Sequence, residues 1–540
     1  MFPHKFNAKL VILAMIGMIL FIGSVQVASL SQDDSMQPEL GSPLVSKAQA
    51  KTAAITYLQS RFTSLIVSET TITYDTNKTL SGYLQKNKLT KLYKAEFNKR
   101  YPLDYWVVQI WDELSGNRYM VDVGLERPNI VGWSAIKDQL PTDEQKADPL
   151  TETKAYEMAK DFAKKEGFEL TDFHNKPVVY DSNALVFEFE NSKAKIGDAK
   201  QVLSIGVSGN EISSYHVDFD VPEADSLWMN KQDTYGQWLS LLSLVFMLIF
   251  AITAIVISIR KRKLISFSRG WLLTGIFLVI SFVGTFNSLP SEGMSLGEKN
   301  AAVYLIVYLI FTLGVNFLLA ATVYFALISG VYMWQQKGWN AWPRWKESRF
   351  GSEVFYGMGR GYLLCIFIVG VQQTLFLFAG KTFHSFAIND PSQSEYNMLW
   401  PTLLPTMAWM AAISEEIIFR LFAIILFQKL LRIRFLAILI PSILWALGHT
   451  AYSIYPSYTR LFEVTVLGLI FSYIFLRYGL ITAIFTHAIM DSLLMGLSLL
   501  YSAENSSYAL IGVFYIILPA IIAYAIRLIR RKDRQAHTVP

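Results

Sequence analysis

The chain reads as a polytopic all-α membrane protein of about ten transmembrane helices with an inserted α+β extracytoplasmic domain. Three observations predict this. Of the 540 residues, 52% are hydrophobic and the mean hydropathy is +0.32, which is high for a soluble protein. Apolar runs long enough to cross a bilayer recur almost without interruption from residue 236 onward. One long stretch, residues 31–235, contains no such run and alternates polar with apolar positions.

The first apolar stretch, Lys9 to Leu30, follows Lys5 and Lys9 and reads as a signal-anchor. A cleavable signal is the alternative, because Val27, Ala28 and Ser29 precede the polar Ser31-Gln32-Asp33-Asp34. Either choice places 31–235 outside. That region carries an internal repeat, about 43–135 and 149–222. Ser46, Ala50, Ala54 and Tyr57 match Thr151, Ala155, Ala159 and Phe162 in type and spacing, and each set follows a Pro-Leu pair, Pro43-Leu44 and Pro149-Leu150. Ser46 and Thr151 are expected N-caps, with the alanines on one helix face. Strands are expected at 105–110, 119–123 and 130–133 in the first copy. In the second they are expected at 185–189, 202–207 and 212–219, with a turn at Ser208-Gly209-Asn210. His174 and His216 have no metal-ligand spacing.

Candidate spans follow at 236–259, 271–289, 301–334, 356–380, 398–431, 435–455, 461–476, 480–500 and 508–527. The run 301–334 exceeds one bilayer, so it is either one tilted helix or broken near Gly314 or Gly330. Basic residues after alternate spans set the orientation: Arg260 to Lys263 and Arg269, then Lys337, Arg344, Lys346 and Arg349, then Lys429, Arg432 and Arg434, then Arg477, then Arg527, Arg530, Arg531 and Lys532. The opposite loops carry Glu292, Asp390 and Glu504. Both termini are therefore expected in the cytoplasm of a bacterial-type cell, with 236–350 as accessory helices and 528–540 as a basic tail. Trp271, Trp334, Trp339, Trp342 and Trp400 are expected in interfacial belts. The net charge of +5 is modest and lies beside apolar segments, so no nucleic-acid partner is expected. The single cysteine, Cys365, excludes an intramolecular disulfide and a cysteine zinc cluster.

Charged residues inside the late spans are the chemical signal. Ser414-Glu415-Glu416-Ile417-Ile418-Phe419-Arg420 sits in the apolar run 398–431. An ionisable residue in a spanning helix costs at least ~2.5 kcal/mol and usually marks a site. Glu416 and Arg420 are four apart and fall on one helix face, where they can pair. Glu415 is rotated about 100° from its neighbour and is left free for chemistry. A structural ion pair between packed helices is the plainer alternative. His449 and His487 lie in later apolar runs, at i+4 from Trp445 and at i−4 from Asp491 respectively. A carboxylate in such a place can act as general base toward water, and a histidine can hold the same water or stabilise an oxyanion. Glu415, His449 and His487 could instead bind zinc.

Glu415-Glu416-x-x-x-Arg420, an aromatic residue four before His449, and His487-x-x-x-Asp491, in this order, resemble the CPBP family. These are CAAX-protease and bacteriocin-processing intramembrane endopeptidases, also called Abi, often labelled metallopeptidases. The resemblance covers roughly 355–500, within a core taken as 355–527. It implies that Glu415 activates water with help from His449, that His487 and Asp491 stabilise the oxyanion, and that Glu416 and Arg420 support. Trp445, where phenylalanine is usual, is assigned a packing role. Asp491 stands where eukaryotic prenyl-protein members have asparagine; an ionised aspartate cannot donate to an oxyanion, so it is either protonated or orients His487 instead. The order of helix and hairpins in 31–235 resembles tandem PepSY-like domains, which suggests sensing or inhibition.

The expected function is hydrolysis of a peptide bond in a membrane-associated substrate, with no bound metal. Alternatives are a zinc-dependent version, a non-catalytic scaffold or bacteriocin-immunity protein, and a proton-coupled transporter, which the lack of paired half-repeats disfavours. Reporters fused near Asn210 and near Ser291 are expected to be active only outside the cell, and one after Arg531 only inside. An external signal at the C-terminus would overturn the span count.

Overall fold

The computed structural model describes residues 8–30, 43–136, 151–181, 184–293, 301–501 and 506–536. The Pro149-Leu150 pair, the polar run 31–34 and Glu504 lie outside the described residues. The chain opens with α1 (Ala8–Leu30) and continues into a separate sheet domain. There α2 (Lys47–Gln59) is followed by β1 (Val67–Thr76), the short helices α3 (Lys78–Lys86) and α4 (Thr90–Glu96), and the meander β2 (Asp104–Asp112), β3 (Arg118–Gly124) and β4 (Ile130–Ile136). The second copy runs through α5 (Glu152–Lys165), β5 (Phe173–Asn175), β6 (Val179–Asp181), β7 (Ala184–Ile196), β8 (Ala199–Ser208) and β9 (Glu211–Asp220).

The strands make one antiparallel sheet in the order β1-β2-β3-β4-β9-β8-β7-β5, with β6 also paired to β7. The two copies therefore join edge to edge, where Trp133 faces Tyr215 and Gly132 faces His216. Ser46 caps α2 as expected: its hydroxyl accepts the Gln49 amide at 3.3 Å, and the Gln49 side chain accepts the Ser46 amide at 2.8 Å. Thr151 stands at the N-cap of α5 but makes no such bond. Ala50, Ala54, Ala155 and Ala159 are fully buried, so both helices lie close on the sheet. The expected strands fall within β2, β3, β4, β7, β8 and β9; β1, β5 and β6 were not expected. His174 is exposed on β5, and His216 packs against Asp122 at 3.5 Å.

The remainder is a helical bundle: α6 (Glu223–Arg260), α7 (Trp271–Asn287), α8 (Leu289–Gly293), α9 (Ala301–Gln335), α10 (Phe350–Phe383), α11 (Met407–Glu415), a π-helical segment (Glu416–Ala423), α12 (Ile424–Leu431), α13 (Arg434–Leu447), α14 (Ser457–Tyr478), α15 (Leu480–Tyr501) and α16 (Ser506–Ala536). Among the described residues seven helices are long and apolar enough to cross a membrane, and α7 and α13 are shorter apolar helices. The chain is a multi-pass membrane protein. The run 301–334 is one helix, unbroken at Gly314 and Gly330. The expected span 398–431 becomes helical only at Met407, after six residues of 3-10 helix, and then continues through the π segment to Leu431. The expected span 435–455 is corrected: α13 ends at Leu447 and the chain then turns. Trp334 and Trp342 are buried rather than interfacial. Trp334 donates instead to the Leu421 carbonyl at 2.8 Å, filling an acceptor in the wide turn. α1 is part of the bundle. Its Gly17 meets Gly370 of α10 so closely that a Cβ on Gly370 would stand 2.0 Å from the Gly17 carbonyl oxygen.

The sheet domain is clamped to the bundle. At 38 residues, α6 is about 57 Å long, twice a bilayer core, and runs from the sheet domain into the bundle. The segment between α10 and α11 inserts Tyr396 into the sheet domain's own core, against Tyr74 and Trp106. Asn397, 1% exposed, then imitates a strand residue. Its Oδ1 accepts the Tyr74 amide at 2.7 Å and its Nδ2 donates to the Tyr74 carbonyl at 2.8 Å. The edge of β1 is thus capped by a residue that leads into α11. β10 (Phe386–Ala387) in the same segment pairs with β11 (Ile454–Tyr455), which follows the α13 turn. Replacing Asn397 by Ala strands both Tyr74 groups, and each buried orphan costs about 1–3 kcal/mol. Hydrogen exchange of full-length protein should show the Tyr74 amide losing protection in Asn397→Ala, with β8 unaffected.

Candidate active site

The site forms where the π segment, α13, α14 and α15 converge. A π-helix is rare and commonly sits at functional positions. Here it begins at Glu416, so the two glutamates straddle the change of pitch. Glu416 is fully buried and its Oε1 lies 3.2 Å from Arg420 Nη1, the pairing expected from their spacing. Glu416 Oε1 also lies 2.9 Å from His487 Nδ1. Glu415 differs: its side chain is 23% exposed, so one carboxylate of the pair is sealed and the other can meet water.

His487 is the hub. Its Nδ1 faces Glu416, while Nε2 stands 3.4 Å from Asp491 Oδ2 and 3.8 Å from Glu415 Oε2. Carboxylate oxygens accept, so this setting is satisfied when both ring nitrogens carry hydrogen. Phe471 lies along the ring with centroids 4.8 Å apart. Arg420 is held between aromatic faces, 4.0 Å from the Trp445 ring and 5.3 Å from Phe471.

The role assigned to Trp445 needs correction. It is buried, but its indole N–H donates to Glu415 Oε2, so it is a polar partner of that carboxylate as well as a packing residue. Gly468 of α14 allows this, since a Cβ there would come within 3.1 Å of the Trp445 ring. The helical placement of His449 is also corrected. It lies two residues past the end of α13, in a turn held by its amide on the Ala446 carbonyl at 3.0 Å. Its Nδ1 meets the Trp445 carbonyl at 2.9 Å. A carbonyl can only accept, so Nδ1 is the protonated nitrogen and Nε2 presents the lone pair.

Tyr452 was not anticipated. Its ring stacks on His449 with a 9° interplanar angle, and Arg460 sits 5.3 Å from the centre of the same Tyr452 ring. Arg460 in turn pairs with Glu463, which accepts from Gln372 of α10 at 2.9 Å. The only advance signal was the charge of Arg460 and Glu463 beside an apolar run.

The zinc alternative can be tested on donor geometry. Among the described residues no three His, Cys, Asp or Glu side chains form a group suited to a metal ion. His487 Nδ1 faces Glu416, and Nε2 faces Asp491 and Glu415, so as placed the ring is engaged by carboxylates on both sides.

Replacing Trp445 by Phe keeps the ring and removes the N–H donor to Glu415. A charge-assisted hydrogen bond of this kind contributes roughly 1.5–3 kcal/mol. Trp445→Phe protein is therefore expected to fold normally and to lose about tenfold or more in turnover. Unchanged turnover would return Trp445 to a packing role.

Residues 397–493 match the family model described as Type II CAAX prenyl endopeptidase Rce1-like. No curated protein and no solved structure matches the chain. The matched segment spans Asn397 through the π segment to α15 and includes Glu415, Glu416, Arg420, Trp445, His449, His487 and Asp491. Over that segment the chain is similar to the type II CAAX prenyl endopeptidases.

Proposed function

We propose that the chain hydrolyses a peptide bond in a membrane-associated protein or peptide, with Glu415 as general base toward water. The observation that carries this is the asymmetry of the glutamates: Glu416 is sealed against Arg420 and His487, whereas Glu415 is accessible and held by Trp445. Glu415 takes a proton from water, and the lone pair on His449 Nε2 orients that water. The hydroxide adds to the peptide carbonyl. His487, held between Glu416 and Asp491, offsets the charge that develops on the carbonyl oxygen. The proton on Glu415 then passes to the leaving amine. Asp491 orients His487 and need not donate. Glu416, Arg420 and Trp445 keep Glu415 and His487 in register, and no metal is needed for any step.

In this reading residues 355–527 are the peptidase core and 236–350 accessory helices. Residues 31–235 lie outside the cytoplasm, both termini inside, and the sheet domain senses or restrains. The family description names a prenyl endopeptidase; for this chain the substrate class is membrane-associated peptides.

Purified protein should be incubated with membranes of its own host and new termini mapped by mass spectrometry. Glu415→Gln is expected to abolish them while leaving folded yield unchanged. Glu416→Gln is expected to lower folded yield, because it breaks a buried pair at a cost of about 3–5 kcal/mol. Inactivity confined to Glu416→Gln, with both variants folded, would reverse the roles. Activity should survive prolonged dialysis against a strong chelator. Stoichiometric zinc lost and regained together with activity would overturn the metal-free mechanism.

A further inference from the structure

A second buried charged position lies beside the start of α15, at the basic end of the bundle. Arg360 is in α10 and only 4% exposed. Unlike Arg420, it has no carboxylate at ion-pair distance among the described residues, although Glu353 is near enough to attract it. Among the described residues no hydrogen bond or ion pair reaches its guanidinium, and Nη2 is sealed without a partner. Its neighbour is the Tyr478 ring at 5.7 Å, and Arg477 approaches the same ring at 5.8 Å. Two like charges therefore share one aromatic ring, and each disfavours the other.

The guanidinium lines a cavity of about 20 Å³ together with Asn340, Glu353, Tyr356 and the first residues of α15, Leu480 to Thr482. That volume holds one water-sized group. α15 is a 22-residue helix, and its first backbone bond runs from the Ala483 amide to the Gly479 carbonyl. The amides of Leu480, Ile481 and Thr482 precede that bond and form the positive end of the helix dipole. Glu353 is the carboxylate on the wall; both Arg349 and Arg360 attract it, and it stands beyond ion-pair distance of Arg360, which leaves the guanidinium without a hydrogen-bonded counter-charge. A buried guanidinium with no hydrogen-bond partner, lining one cavity with a helix N-terminus, has the chemistry of an anion site.

We propose that this cavity binds a phosphate group, with one phosphate oxygen entering between Arg360 and the α15 amides and the rest of the group at the mouth near Arg477. The position at the basic end of the bundle fits the headgroup of an anionic phospholipid; free phosphate shares the chemistry. The site does not depend on the peptidase reading.

Full-length protein should be placed in nanodiscs of phosphatidylcholine alone or mixed equally with phosphatidylglycerol. Lipid retained after extraction is then counted by native mass spectrometry. In parallel, melting is followed with inorganic phosphate. Wild type is expected to retain phosphatidylglycerol selectively. Arg360→Met should lower that retention about tenfold, the loss of one charge-assisted contact. Arg360→Lys should restore part of it. Ile481→Pro deletes one α15 amide without changing charge and is tolerated in a first helical turn, so it should also lower retention. Glu415→Gln should retain lipid as wild type does. A melting shift with phosphate that Arg360→Met abolishes, without lipid selectivity, would uphold the anion site and overturn the lipid source. No selectivity and no shift in wild type, or equal effects in folded Arg360→Met, would overturn the site.

Discussion

The buried ion cluster of Glu416, Arg420 and His487 is the constraint on which the membrane core depends. These residues are 0%, 1% and 3% exposed in a bundle whose core is mainly aliphatic and aromatic. Ions taken out of water cost several kcal/mol each unless their partners are well placed. Arg420 must therefore stay between the Trp445 and Phe471 rings, and His487 must stay against Glu416. That ties α13, α14 and α15 to the π segment. Glu415 inherits its position from this arrangement while remaining outside the sealed cluster. Glu415 is the accessible carboxylate of the two, and Glu416 the sealed one.

Much of this was visible in the chain because charge inside an apolar run has few explanations. The Glu416–Arg420 spacing survives in the structure even though the backbone there is π-helical, since residues four apart still lie near one face of the wider turn. The change of pitch itself left no mark: Ile417-Ile418-Phe419 reads as ordinary helix. Trp445 was misread because its partner comes from another helix, and a sequence shows spacing within an element but not across two. His449 was misplaced because Ala446-Leu447-Gly448 is apolar enough to continue a span, while the helix stops one residue before the glycine.

The sheet domain was legible to the same degree and for a related reason. Strands with one buried face alternate clearly, as in β8 and β9. β1 escaped because Ser68-Glu69-Thr70-Thr71 offers polar side chains to both faces, and because its outer edge is satisfied by Asn397, hundreds of residues away. Tyr396 looked like a loop tyrosine and is part of another domain's core. Pairings of that range follow from packing, not from local pattern.

Asn397 is also the residue at which the family match begins. The matched segment thus includes the residue that grips the β1 edge. The sheet domain is not joined only through a slack linker; part of its fastening lies within the matched segment. Recombination that exchanged this outer module for another would leave a buried amide side chain with nothing to hold. A successful exchange must either supply a new strand edge at the same height or rewrite the approach to α11.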